Sequence, residues 1–475
     1  MKKKMMILGL ALCLLAATGC GVGNPGPDEN ALPPLETAPS IEDDKQGYDR
    51  NDPIVIYQEN LNCGVSFELY EDGRLLLTGG DVTVSMGDEK AYQDYKQSIT
   101  TIELGDGITM VDSKAFAGLE NIQKLIVGQS VESIGYSAFS DCKALTQVDF
   151  GSNLKQLGDY AFSGCIALTD VELNGKLENV GSYCFSGCTA IKNAILGSSL
   201  TQIGDFIFSG CTALSSARIG CDVGNSVFKD CTSLESVVLE QSVSVIEDRA
   251  FSGCTKLQGI TFGNGLQRIG AYAFVDCTGL GSISLPASVT LVEKEAFANC
   301  TKLDTIEFAE DAKIVLEDGV FTGCTGLKEL ELGNGIVEIG NYCFSDCTAL
   351  KSAVIGSNVT VMGENLFAGC TELTTLDVSS SIGASSFKNM TALEKVTIGE
   401  GAASIGDQAF YGCSSLKELV LPKSLTSIGT ECLNGTVSLK KLRYRGSERD
   451  WYKVKLAKKW NTGAGITYVN EFNVK

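Results

Sequence analysis

The stretch SVIEDRAFSGCTKLQGITF, Ser244 to Phe262, recurs in altered form along most of a 475-residue chain. Its central Phe251 belongs to a series at 116, 139, 162, 185, 208, 228, 251, 274, 297, 321, 344, 367, 387 and 410, closed by Leu433. The steps are 23 residues, except 24 at Phe321 and 20 at Phe228 and Phe387. Apolar residues follow each Phe at +6, +9 and +11, as in Leu257, Ile260 and Phe262 or Leu416, Leu419 and Leu421. Positions +9 and +11 share one face of an extended strand. A second apolar pair comes later, such as Val131 and Ile134 or Leu266 and Ile269, usually with a Gly after it. Self-similarity at this period means stacked units, each burying its apolar side only against its neighbours.

The L-x-x-V-x-L pattern is the strand of a leucine-rich repeat. Three residues before the Phe usually stands Asp, Ser, Asn or Thr, for example Asp159, Asp205, Asp248 and Asp407. These residues favour helix N-caps, so a single helical or 3-10 turn is expected over each Phe. The strand then paves the concave face, and an irregular return segment runs through the V-x-x-I pair. With about 4.8 Å between neighbouring parallel strands, fifteen units would span roughly 70 Å. The two 20-residue units lack residues in the return segment, which implies a shorter convex turn.

These residues resemble the BspA-type, or Treponema pallidum-type, leucine-rich repeat family, from about Cys63 to the C-terminus. Residues 54–98 resemble its N-terminal cap, with a hairpin from Phe67 to Leu77 turning at Asp72-Gly73. The array then occupies 99–439. Residues 440–475 resemble a small C-terminal cap, where Trp451 covers the last open core. The resemblance implies adhesion to host matrix proteins or to other cells.

The N-terminus carries an address. Lys2, Lys3 and Lys4 precede an apolar run from Met5 to Ala17, too short to span a bilayer comfortably and suited to export. Ala17-Thr18-Gly19-Cys20 resembles a lipobox, with Ala17 where Leu is more usual. Residues 1–20 are therefore expected to be a lipoprotein signal peptide, and Cys20 the lipidated residue holding a surface-exposed protein to the membrane. Residues 21–53 hold six of the eight prolines and eight acidic residues, the composition of a disordered tether. The G-x-G-x-x-G in Gly21 to Gly26 follows no strand and contains Pro25, so it reads as chance.

Composition excludes whole classes of chemistry. With 38 Lys and Arg against 58 Asp and Glu, the net charge of −20 argues against nucleic acid as a partner. The absence of His removes Ser-His-Asp triads, Cys-His dyads and His-containing zinc sites. Twelve of the 19 cysteines sit at Phe+3, where other units carry Leu119, Met390 or Thr436. Leu and Met fit a packing slot and not a ligand slot, so no metal, no cofactor and no disulfide framework are expected.

Side chains at Phe+8, +10 and +12 pave the concave face, the surface solenoids offer to partners. Two acidic clusters stand out there, Asp149, Asp170 and Glu172, and Glu307, Glu329 and Glu331, as candidates for contact with a protein ligand. A glycosidase pair would need a pocket and aromatic sugar platforms that this face lacks. The C-terminal segment has the opposite sign, with ten basic residues against three acidic after position 439. Lys455, Lys458 and Lys459, with Trp451 and Trp460 for stacking, make an alternative site for an anionic glycan of the cell envelope. The sequence therefore reads as a non-enzymatic surface protein.

Overall fold

The computed structural model describes residues 53–466 and 468–474. They wind into a parallel β-solenoid of about sixteen turns with very little helix. In each coil the strand predicted after the Phe pairs in register with its equivalent in the next coil, as Asp170–Leu173 does with Asn193–Leu196. Along Asp170–Leu173 the alternation of the sequence becomes an alternation of burial, with Val171 and Leu173 inside and Asp170 and Glu172 outside. The return segments are more regular than expected. Two-residue strands such as Gln156–Leu157, Asn179–Val180 and Gln202–Ile203 pair in parallel to form a second ladder, each placing one apolar residue toward the core.

Between the ladders runs a column of phenylalanines. Consecutive rings from Phe116 to Phe410 stack with centroids between 4.8 and 6.2 Å apart, all buried. The turn that carries each ring is not helical. The residues two before and two after the Phe both take positive φ, for example Tyr160 at 58° and Gly164 at 75° around Phe162, whereas a helical turn needs negative φ throughout. The +2 slot is filled by Gly, Asp or Asn, the residues that tolerate this conformation best. The −2 slot takes even Tyr183 and Phe206. The polar residue at −3 consequently caps no helix. Asp159 instead accepts from the Ser182 N–H of the next coil at 2.8 Å, Asp248 from Ala271 N–H at 3.0 Å, and Asp407 from Thr430 N–H at 2.6 Å.

The short units show what replaces the missing residues. Asp222 accepts from the N–H groups of Ser244 and Val245 at 2.7 and 2.9 Å. Ser381 Oγ accepts from those of Ala403 and Ser404 at 3.0 and 3.2 Å. A side chain thus supplies the acceptor that a return strand supplies elsewhere, and the ladder shrinks to the bridges Val223 to Ile246 and Ile382 to Ile405. Asp81, bonded to Thr109 and Met110 beside the bridge of Val82 to Val111, marks a third such turn.

Both ends are built from modified coils. The expected hairpin is present as antiparallel Ser66–Tyr70 and Arg74–Thr78, with Gly73 at φ 84°. Val55–Asn60 adds an outer strand, and Arg74–Thr78 pairs in parallel with Thr101–Leu104. Met86 takes the place of a ladder Phe: its N–H bonds Ala115 O as Phe116 N–H bonds Ala138 O. The helix Lys90–Tyr95 buries Ala91 and Tyr92 against this end. At the other end, residues of the expected C-terminal cap extend both ladders of the solenoid. Lys455–Leu456 extends the return ladder, Lys459 and Gly463 repeat the two positive φ values, and Glu471–Phe472 pairs with Arg443–Tyr444.

Cysteine is more than filler in this core. Each of the twelve Phe+3 thiols donates to the carbonyl of the preceding coil's Phe, from Cys142 Sγ to Phe116 O at 3.2 Å through Cys413 Sγ to Phe387 O at 3.1 Å. Among the described residues every cysteine is free, and all but Cys63 are buried. Burial pushes the Cys142, Cys324 and Cys413 thiols up to about 12, which keeps them protonated and unreactive.

Candidate functional site

The concave face is made by side chains that alternate with the core residues, so its chemistry varies while the fold stays constant. The two acidic clusters sit there in different electrostatic states. Lys124 meets Asp149 at 2.8 Å, and its ammonium holds the Asp149 carboxyl below its ordinary range. Asn193 donates to Asp170 at 2.9 Å and Asn174 to Glu172 at 2.6 Å. The first cluster is therefore satisfied from within. Among the described residues, Glu307, Glu329 and Glu331 have no ion pair and no side-chain hydrogen bond; all three are exposed.

The concave ladder is interrupted three times, after Gln147–Asp149, after Gly259–Thr261 and after Thr305–Phe308. The cause is a residue whose size the apolar pattern does not reveal. At Phe+11 most coils carry Leu, Ile or Val, but these three carry Phe150, Phe262 and Phe308. Each ring turns its edge or face to the column ring of the next coil, Phe162, Phe274 and Phe321, at 5.7, 6.1 and 6.4 Å and 87°, 88° and 81°. The extra volume beneath the strand holds the next strand away. The last bond across the first gap, Thr169 N–H to Thr146 O, is stretched to 3.4 Å, and its counterpart in the second, Gly281 N–H to Gln258 O, to 3.3 Å. An intact pair such as Lys192 N–H to Thr169 O closes at 2.8 Å.

Each gap lets solvent reach the core, so Phe150, Phe262 and Phe308 are only partly buried. A depression of about 710 Å³ opens beside Phe150, edged by Asp149, Asp170 and Glu172. Another of about 860 Å³ spans Phe262 and Phe308, with Glu307 and Glu310 on its rim. Phe in place of an aliphatic residue at +11 is the sequence signal for these openings. A stripe of Tyr136, Tyr160, Tyr183 and Phe206 also runs along one flank, but the last three rings stack on one another at 4.8 Å and present mainly edges.

At the basic end, Lys455, Lys458 and Lys459 are exposed and, among the described residues, unpaired. The two tryptophans are placed differently from the expectation of a stacking platform. Trp460 is buried, and Trp451 lies between Tyr444 and Trp460 at 5.3 and 6.2 Å. They close the last coil. Cys20 lies outside the described residues. No helix among the described residues is long and apolar enough to cross a membrane, and none of their His, Cys, Asp or Glu side chains cluster as a metal site.

A family model described as BspA type leucine rich repeat region, in six copies, matches residues 88–217, 221–317, 312–383 and 380–451. Among solved structures, a leucine-rich repeat protein from Bacteroides ovatus is 26% identical with a TM-score of 0.58, covering 79% of this chain and 95% of its own. A leucine rich cell surface protein from Faecalibacterium prausnitzii is 21% identical with a TM-score of 0.33, covering 84% and 97%. The T. pallidum leucine rich repeat protein is 25% identical with a TM-score of 0.31, covering 45% and 86%. No curated protein matches the chain.

Proposed function

This chain belongs to the BspA-type leucine-rich repeat family, and we propose that it is a lipid-anchored adhesin of the bacterial surface whose concave face holds a protein partner. The fold is a binding scaffold, typically non-enzymatic, in a family of surface type that serves protein–protein interaction. The observation that carries the reading is the uncompensated carboxylate row of Glu307, Glu329 and Glu331 on an extended concave face. Fixed charges without internal partners repel one another and gain most from an incoming cation. The partner is therefore a protein with a basic surface, either a host matrix protein or a component of another cell. Cys20 would supply the membrane link and residues 21–53 the tether.

The test is binding of the chain to immobilised matrix proteins and envelope glycans at low and high salt. Changing Glu307, Glu329 and Glu331 to Gln is expected to weaken protein binding at least tenfold. The same change at Asp149, Asp170 and Glu172 should have a smaller effect, because those groups already have partners. Equal binding by the Glu307, Glu329 and Glu331 variant and the parent would sink the reading. The unpaired Lys455, Lys458 and Lys459 favour a second reading, a seat for anionic envelope glycan at the basic end. Binding confined to glycans, abolished by salt and by neutralising those three lysines, would support it.

A further inference from the structure

We infer that the opening bounded by Phe262 and Phe308 is an anchor pocket for an arginine side chain on an extended segment of a protein partner. This deepens the concave-face reading and rests on it. The strand pair Ser282–Leu285 and Thr305–Phe308 is detached from the ladder on both sides, and the depression over it crosses the gap beside Phe262 as far as Phe308. Its floor offers Phe262, Phe308 and Leu285, and its rim offers Glu307 and Glu310. Neither carboxylate is engaged within the described residues. At the gaps, strand-edge N–H and C=O groups also lack their ladder partners, and unpaired carbonyls are acceptors.

Arginine matches all three features. Its methylene stem and planar guanidinium pack on aromatic rings, and its five donors can serve a carboxylate and backbone carbonyls together. Lysine brings a point charge with a strongly hydrated head and gains less from the rings. The opening beside Phe150 has the same wedge, but its carboxylates are occupied by Lys124, Asn193 and Asn174. It lacks the free negative charge that would select a cation.

The experiment is calorimetric titration of the full chain with N-acetylated, C-amidated Gly-Arg-Gly-Arg-Gly, and with the same peptide carrying neutral citrulline for arginine. The decisive variant is Phe262→Leu with Phe308→Leu. Leu already fills this slot at 173, 239, 285 and 332, so the substitution closes the gaps while keeping every charge and an accepted core residue. The arginine peptide is expected to bind at least tenfold better than the citrulline peptide. That preference should fall at least tenfold in the Phe262→Leu, Phe308→Leu chain and stay unchanged in Phe150→Leu. Undiminished arginine binding after the gaps are closed, with circular dichroism unaltered, overturns the pocket and leaves general attraction to an acidic array. Protein binding that depends on Glu307, Glu329 and Glu331 but ignores the two Leu substitutions likewise overturns the pocket while sustaining the concave-face reading. Arginine binding lost on closure, with no protein bound by the concave face, leaves an arginine site but rejects that reading and with it the role of protein anchor.

Discussion

Alkali should dismantle this solenoid through its thiols. A cysteine in an unfolded chain ionises near pH 9, whereas Cys142, Cys324 and Cys413 in the folded core are pushed up to about 12. Between those values the unfolded chain releases protons that the folded chain retains. Stability is therefore complete below pH 9 and is lost as pH rises toward 12. Each buried thiol removes ~1.4 kcal/mol per pH unit in that window, and the three sites are far apart along the column, so their effects add to ~4 kcal/mol per unit. The assay is urea unfolding followed by far-ultraviolet circular dichroism from about pH 8 to about pH 10.5, on the parent chain and on one carrying Cys142→Ala, Cys324→Ala and Cys413→Ala. The variant should start less stable, having lost three thiol hydrogen bonds and some packing, and should then decline with pH more shallowly by that ~4 kcal/mol per unit. Tyrosine and lysine ionisation is common to both chains and cancels in the difference. Parallel slopes would refute the argument that burial of neutral thiols sets the alkaline limit.

Three more outcomes follow from the packing. Phe274→Ala, which breaks the column between Phe251 and Phe297, should cost ~3–5 kcal/mol in denaturant melts. Asp222→Ala, which strips the acceptor from two N–H groups of the short coil, should cost ~1–2 kcal/mol, and hydrogen exchange at Ser244 and Val245 should speed up while distant coils are unaffected. A thiol reagent should modify Cys63 rapidly in the native protein and the other described cysteines only after unfolding; fast modification of Cys254 would contradict the sealed column.

The repetition explains what was readable. A single L-x-x-V-x-L is weak evidence, but repeated in fifteen units it fixed strand, face and register, since a one-residue slip in any coil would turn its apolar residues outward. The turns were not readable in the same way. Tyr160, Tyr183 and Phe206 are unusual choices for positive φ, and the polar residues at −3 serve a neighbouring coil instead of their own. The terminal coils were hidden because Met86 stands for Phe at one end and the turn around Trp460 at the other, with Lys90–Tyr95 inserted as a helix. At the functional face the acidic clusters were visible as composition, but their difference depends on Lys124, Asn174 and Asn193, which only the stacking brings near. The openings at Phe150, Phe262 and Phe308 turn on side-chain volume, which an apolar pattern treats as equal.

The interruptions of the two ladders never coincide. The concave ladder is broken after 149, 261 and 308, while the return ladder is broken after 203 and 362, just before the short coils at Val223 and Ile382. Opposite every break the other ladder is intact: Gln156–Leu157 holds Asn179–Val180 behind the first gap, Arg268–Ile269 holds Leu291–Val292 behind the second, and Ile314–Leu316 holds Ile336–Ile339 behind the third. The arrangement is that of staggered joints in masonry. A crack entering from either side meets an unbroken course before it can pass through, so a pull along the axis bends the array about the sound side and leaves its coils joined. Compliance of the array then comes from hinging at fixed places, with the coils on the sound side still joined.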